Sequence, residues 1–141
     1  MQTLSYMRAE EEPETGAAHP AGGIIIPESL LGVWVNTNSA TRGIAKVVLA
    51  ARENQVVLRV FGKYDPELYD WGEVNAGIFA SDINSAEAMA WSAFYEFEFM
   101  DIHLQAHIRQ GVLIIAKFDR FKDDSGRSNY FSKEFFYRLD T

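Results

Sequence analysis

From Ile24 onward, apolar runs too short for stable helices alternate with clusters of Asn, Asp, Ser, Gly and Pro at a spacing of roughly ten residues, which is the pattern of an all-β chain of hairpins. The runs are 31–37, 44–52, 55–63, 72–81, 88–100, 102–109, 111–121 and 129–139. Turn signals stand between them: Asn36 to Ser39, Glu53-Asn54, Asp65-Pro66, Asp82 to Ser85, Gln110-Gly111 and Asp123 to Ser128. Eight strands joined by short links make an antiparallel up-and-down meander, and a meander of that length closes into a β-barrel because closure removes both exposed edges. An aromatic content of 13% fits pleated, half-buried surfaces. One segment pulls towards helix: SAEAMAWSAFY, 85–95, is rich in Ala, Glu and Met behind a Ser that can cap. The stretch that follows it, YEFEFMDIHLQAHI, alternates as a strand does, so the whole segment is expected to be β.

The chain of 141 residues has the size of one domain with one core. Residues 1–23 set Glu10, Glu11, Glu12 and Glu14 against Arg8, carry His19 without a chemical context, and end in Pro and Gly. They are expected to be a disordered acidic tail, with the barrel occupying 24–141. A net charge of −7 argues against nucleic acid and anionic membrane as partners. No run approaches the roughly 20 apolar residues of a membrane span, and the N-terminus lacks an apolar stretch followed by a cleavage site. With no cysteine, thiol chemistry and Cys-type zinc sites are excluded, and the expected location is the cytoplasm.

Period-2 alternation assigns faces. In 55–61, Val56, Leu58 and Val60 share one side and Gln55, Val57, Arg59 and Phe61 the other, while GVLIIA at 111–116 is apolar on both. A solitary barrel should be polar outside, so strands apolar on both faces predict that part of the outer wall is covered. Either the N-terminal segment GIIIPESL lies over it, or the chain forms a homo-oligomer, expected to be a dimer packed wall to wall.

LLGVWVN at 30–36, with Gly32 two residues before Trp34, and Arg138 near the end of the last strand resemble the calycin arrangement of lipocalins, fatty-acid-binding proteins and avidins. That resemblance implies a Trp near one end of the barrel with a basic residue of the last strand across it. The Gly-x-Trp-x-Asn run also looks like the first strand of the avidin group, which implies an inward polar ligand contact at Asn36. WVNTN, TRG and DWGEV are similar to a family of small uncharacterised bacterial proteins, a likeness that implies no mechanism.

The candidate site residues follow from these readings. Trp34 is read first as a core plug, and Asn36 either as a turn initiator or as an inward amide. KYDPELYDWGEV, 63–74, reads as the longest irregular connection between strands; its Tyr64, Tyr69, Asp70, Trp71 and Glu73 form either a lid over a ligand or a plug at a barrel mouth. In HLQAHIR, His103, Gln105, His107 and Arg109 share one strand face. The two histidines lie about 13 Å apart at ~3.3 Å per residue, too far to ligate one ion. Their row is either a solvated outer face or an inward polar row opposite an aromatic wall of Trp91, Tyr95, Phe97 and Phe99, which would give an apolar cavity with a few placed polar groups. DDSGRSN lacks the spacing of a calcium loop and reads as a hairpin turn. No phosphate loop, dinucleotide fingerprint or nucleophile elbow occurs, and no cofactor or metal is expected.

Three functions remain open at this level. The leading expectation is binding of a small, largely apolar or aromatic molecule inside the barrel, with Trp34, Asn36, Tyr69, Trp71, Trp91, Tyr95, His103 and His107 as ligand contacts, because eight strands enclose room for side chains or one small guest. The second is a cofactor-free cyclase or isomerase using Glu73, Tyr95, His103 and His107 in acid–base roles. The third is a structural or interaction module with a filled barrel.

Overall fold

A computed structural model describes residues 23–64 and 67–139. The acidic tail therefore lies outside the described residues except for Gly23, as does the link at 65–66. Eight strands, β1 (Gly32–Asn36), β2 (Ile44–Arg52), β3 (Gln55–Tyr64), β4 (Glu67–Ala80), β5 (Ala88–Glu96), β6 (Met100–Arg109), β7 (Val112–Phe121) and β8 (Tyr130–Arg138), pair in sequence order and close into one barrel. Every neighbouring pair is antiparallel, and the ring is closed by β1 against β8, with Trp34 opposite Arg138 and Asn36 opposite Phe136. No helix among the described residues is long and apolar enough to cross a membrane.

The links explain the meander. Glu53 and Asn54 (φ 53° and 68°) and Gln110 and Gly111 (φ 54° and 80°) form two-residue turns with positive φ at both central positions, the geometry that matches the twist of paired strands. At Asp123–Ser128 the chain folds back on itself: Ser125 N donates to Asp123 and the Arg127 guanidinium reaches the same carboxylate at 2.8 Å. The helical propensity of 85–95 is overridden. Ala88, Trp91, Ala93 and Tyr95 are buried inside the barrel, where small residues beside large ones fill its width. The segment expected to be the longest loop is instead the start of β4. Leu68, Tyr69 and Asp70 pair with Lys63, Gly62 and Phe61, and a register shift between Arg59 and Phe61 absorbs the irregularity. Pairing with β3 satisfies the backbone of these residues, which outweighs the turn character of Asp and Gly in the stretch.

One end of the barrel is plugged. Residues 28–30 form a single 3-10 turn that drives Leu30 into the core at 0% exposure, and Ile24, Ile26 and Leu31 pack against the same cluster. Ile25 bridges to Glu87, donating to the Ala86 carbonyl at 2.6 Å and accepting from Ala88 N at 2.9 Å. The Trp34 indole N–H donates to the Leu30 carbonyl at 3.1 Å. The Arg138 guanidinium clamps the plug from outside, donating to the Leu31 and Glu28 carbonyls at 2.8 and 3.1 Å. Gly32 makes this clamp possible: its φ of +113° is strained for an L side chain, and a Cβ there would stand 3.3 Å from Arg138 Nε. Above the plug the interior is packed by Trp91, Leu58, Leu104, Leu113, Ile115 and Phe136, all nearly inaccessible.

Candidate functional site

The opposite end, where the 37–43, 97–99 and 122–129 connections lie, holds a recess of about 220 Å3 lined by residues of five strands and the first of these loops. Trp71 and Tyr69 of β4, Met100 and Ile102 of β6 and Tyr130 of β8 supply apolar and aromatic surface. Arg42, Lys63, Lys117 and Asp119 supply the charge. Trp71 reaches inward because Gly62 faces it on β3; a Cβ at Gly62 would stand 2.7 Å from Trp71 Nε1. The indole then meets Tyr95 and Phe97 edge-on, with centroids 5.3 and 5.8 Å away. The Tyr95 hydroxyl donates to the Gly72 carbonyl at 2.6 Å, and burial pushes its pKa up to about 12.

The charged groups of the recess arise from alternation along β7. Leu113, Ile115, Lys117 and Asp119 all point inward, so an ion pair follows directly on two core aliphatics. Lys117 Nζ lies 2.9 and 2.7 Å from the two Asp119 oxygens, with side-chain exposures of 9% and 1%. Tyr130, opposite Asp119 in the β7–β8 register, places its ring 5.0 Å from the Lys117 ammonium. The Asp119 carboxylate beside it, followed by burial, pushes the Tyr130 pKa up to about 12. Taking two charges out of water costs several kcal/mol per ion before pairing offsets it. A closed pair in an apolar barrel is therefore held by its mutual contact, with the Tyr130 ring 5.0 Å from the ammonium.

Of the residues nominated from sequence, Trp71 and Tyr69 line this recess, and Tyr95 packs behind Trp71. Trp34 is the packed plug at the far end. Asn36 braces the 37–43 loop from inside: its amide donates to the Ile44 carbonyl at 2.8 Å and its oxygen accepts from Asn38 N at 2.7 Å. The turn-initiating and inward readings of Asn36 thus coincide in one residue, whose amide is spent on the loop. Trp91 is core, 1% exposed, and its indole N–H has no acceptor among the described residues. Glu73 is on the outer wall, paired with Arg52, and Asp70 accepts from Arg59 at 2.7 Å, a contact that, with the Gly72 N–H, lowers its pKa.

His103 and His107 are separated from these residues by the barrel wall. β6 turns Ile102, Leu104 and Ala106 inward, so the row of His103, Gln105 and His107 faces outward. His103 stacks on Phe94, centroids 4.5 Å apart and nearly parallel. The inward row opposite Trp91 and Tyr95 is therefore not formed. Lys117, Asp119 and Tyr130 carry the polarity of the interior and went unassigned from sequence. The signal for them was the parity of KFD with Leu113 and Ile115, obscured because 111–116 is apolar on both faces. Among the described residues no cluster of three His, Asp or Glu could hold a metal ion. No protein-family model, no curated protein and no solved structure matches the chain.

Proposed function

We propose that this barrel is a binding protein for a small, single-ring aromatic molecule carrying an anionic group, taken up at the open mouth. The observation that carries the reading is the buried Lys117–Asp119 pair on the wall of a recess with the aromatic surface of Tyr69, Trp71 and Tyr130. A buried ionic group that faces a recess with convergent polar and aromatic lining marks a candidate binding site. The recess is smaller than the ~300–1,000 Å3 of drug-sized sites, which favours one substituted ring over a long acyl chain. Arg42, Lys63 and Lys117 against the single lining carboxylate of Asp119 favour an anion. The plugged end, where Trp34 of the first strand stands opposite Arg138 of the last, adds the likeness to calycin barrels. Carriage is favoured over catalysis because Glu73, Tyr95, His103 and His107 occupy different faces of the wall and share no reacting centre.

Titration of the chain with benzoate, phenol and benzylamine, followed by Trp fluorescence and amide chemical shifts, tests this. Benzoate should bind tightest, perturb Trp71, Ile102 and Tyr130, and lose about tenfold or more in affinity in Lys117→Met, equal to about 1.4 kcal/mol. No response by roughly 10 mM, the weak end of specific binding, or shifts confined to the outer wall would overturn it.

A further inference from the structure

The outer wall of β5 to β8 carries three parallel rows of side chains set by register. Phe94, His103, Phe118 and Phe131 lie directly opposite one another across the four strands, and their rings run in contact, with centroids 4.5, 6.0 and 5.1 Å apart. The next row, Ser92, Gln105, Ala116 and Lys133, is low. The third, Ala90, His107, Ile114 and Phe135, continues from Phe79 on β4. A ridge and a trough thus lie side by side, and the trough is a groove of about 550 Å3 reaching from Phe79 to Phe131.

We propose that this face is the contact surface of a homodimer, in which the aromatic ridge of one copy lies in the trough of the other about a two-fold axis lying in the plane of the contact, parallel to the rows and midway between ridge and trough. The relief is self-complementary, which is what an isologous contact requires: one patch that offers both the knob and the hole. The area is of the right size. Phe79, Phe94, Phe118, Phe131 and Phe135 are each 41–57% exposed. At ~200 Å2 for a free aromatic side chain they present on the order of 500 Å2, before the trough is counted. A standard interface buries about 800 Å2 per partner, and the largest apolar patch on a typical monomer is ~300–600 Å2. Charge agrees as well. The chain has 20 Asp and Glu and a net charge of −7, which would hold two copies apart, yet none of the twelve positions in the three rows is acidic. The plug segment Ile24–Leu31 packs against the core at the end of the barrel and leaves this wall uncovered.

Sedimentation of the full chain tests the assignment, with Ala116→Glu in the trough, Phe118→Glu on the ridge, and Ala50→Glu as a control at an exposed site on β2. The unaltered chain and the control should sediment at twice the chain mass at micromolar concentration. Both wall variants should sediment as folded monomers by circular dichroism, with a dissociation constant raised at least a hundredfold. Should one of them fail to fold, Gln105→Lys, at an exposed site in the trough, reads the same loss. An unaltered chain that stays monomeric up to roughly 100 µM, weaker than standard-size interfaces achieve, overturns the proposal, as does a dimer that survives the wall variants. A monomer whose wall instead adsorbs to neutral phosphatidylcholine vesicles overturns it in favour of a lipid surface.

Discussion

Lys117 and Asp119, two positions apart on β7, point into the barrel together, with the ammonium nitrogen 2.7 Å from one carboxylate oxygen and 2.9 Å from the other. Strand alternation alone brings them to one face, and their burial makes each the other's main solvation. Lys117→Met should therefore cost about 3–5 kcal/mol in urea unfolding, because it leaves a buried carboxylate unpaired. Adding Asp119→Leu to that variant should restore most of the loss. A double variant no more stable than the single one would show that the site is wet and the pair weakly coupled.

Trp34 and Trp91 are both almost fully buried, but only Trp34 donates a hydrogen bond, to the Leu30 carbonyl. Replacing either by Phe removes similar volume. Trp34→Phe should nonetheless be the costlier by about 1 kcal/mol, since it also orphans a buried carbonyl at the plug. Equal losses in thermal unfolding would mean that the plug does not depend on the indole contact.

The methyl group of Gly62→Ala would collide with the indole of Trp71 at 2.7 Å. Trp71 must then leave its place against Tyr95. Destabilisation of about 1–3 kcal/mol, the usual cost of overpacking, is expected with a red-shifted Trp emission. The same variant should lose benzoate binding, as the recess loses its aromatic wall.

Tyr95 bears on alkaline stability. Its folded pKa of about 12 stands above the ordinary value of 10.0, so its contribution is fully present below pH 10 and is lost as pH rises through about 12. Unfolding free energy should fall across that window and level off above it. Tyr95→Phe should flatten the fall, leaving the smaller share from Tyr130, which is half exposed and whose effect water screens. Tyrosinate absorbance measured alongside stability checks both.

Much of the architecture is legible in the sequence. β2 has the expected bounds, β6, β7 and β8 lie within two residues of theirs, and the turns at Glu53-Asn54 and Gln110-Gly111 carry the positive φ that their residue types tolerate. The site was less legible. The loop composition that puts Tyr69 and Trp71 at a mouth is misleading, since both stand on a long β4 rather than in a loop. His103 and His107 drew attention as titratable groups, and the wall turned them outward beside Phe94 and Phe118.

The amino-acid sequence by itself determined eight strands, their turns and the period-2 pattern along each, because these depend on local backbone preference and on residues two apart. Tertiary structure decided which parity faces inward where both are apolar, as on β7, and with it that Lys117 and Asp119 are interior and Phe118 is not. That choice depends on what the other seven strands and the Leu30 plug leave to be filled. A single strand cannot encode it, since shifting by one residue exchanges its two faces without altering any local preference.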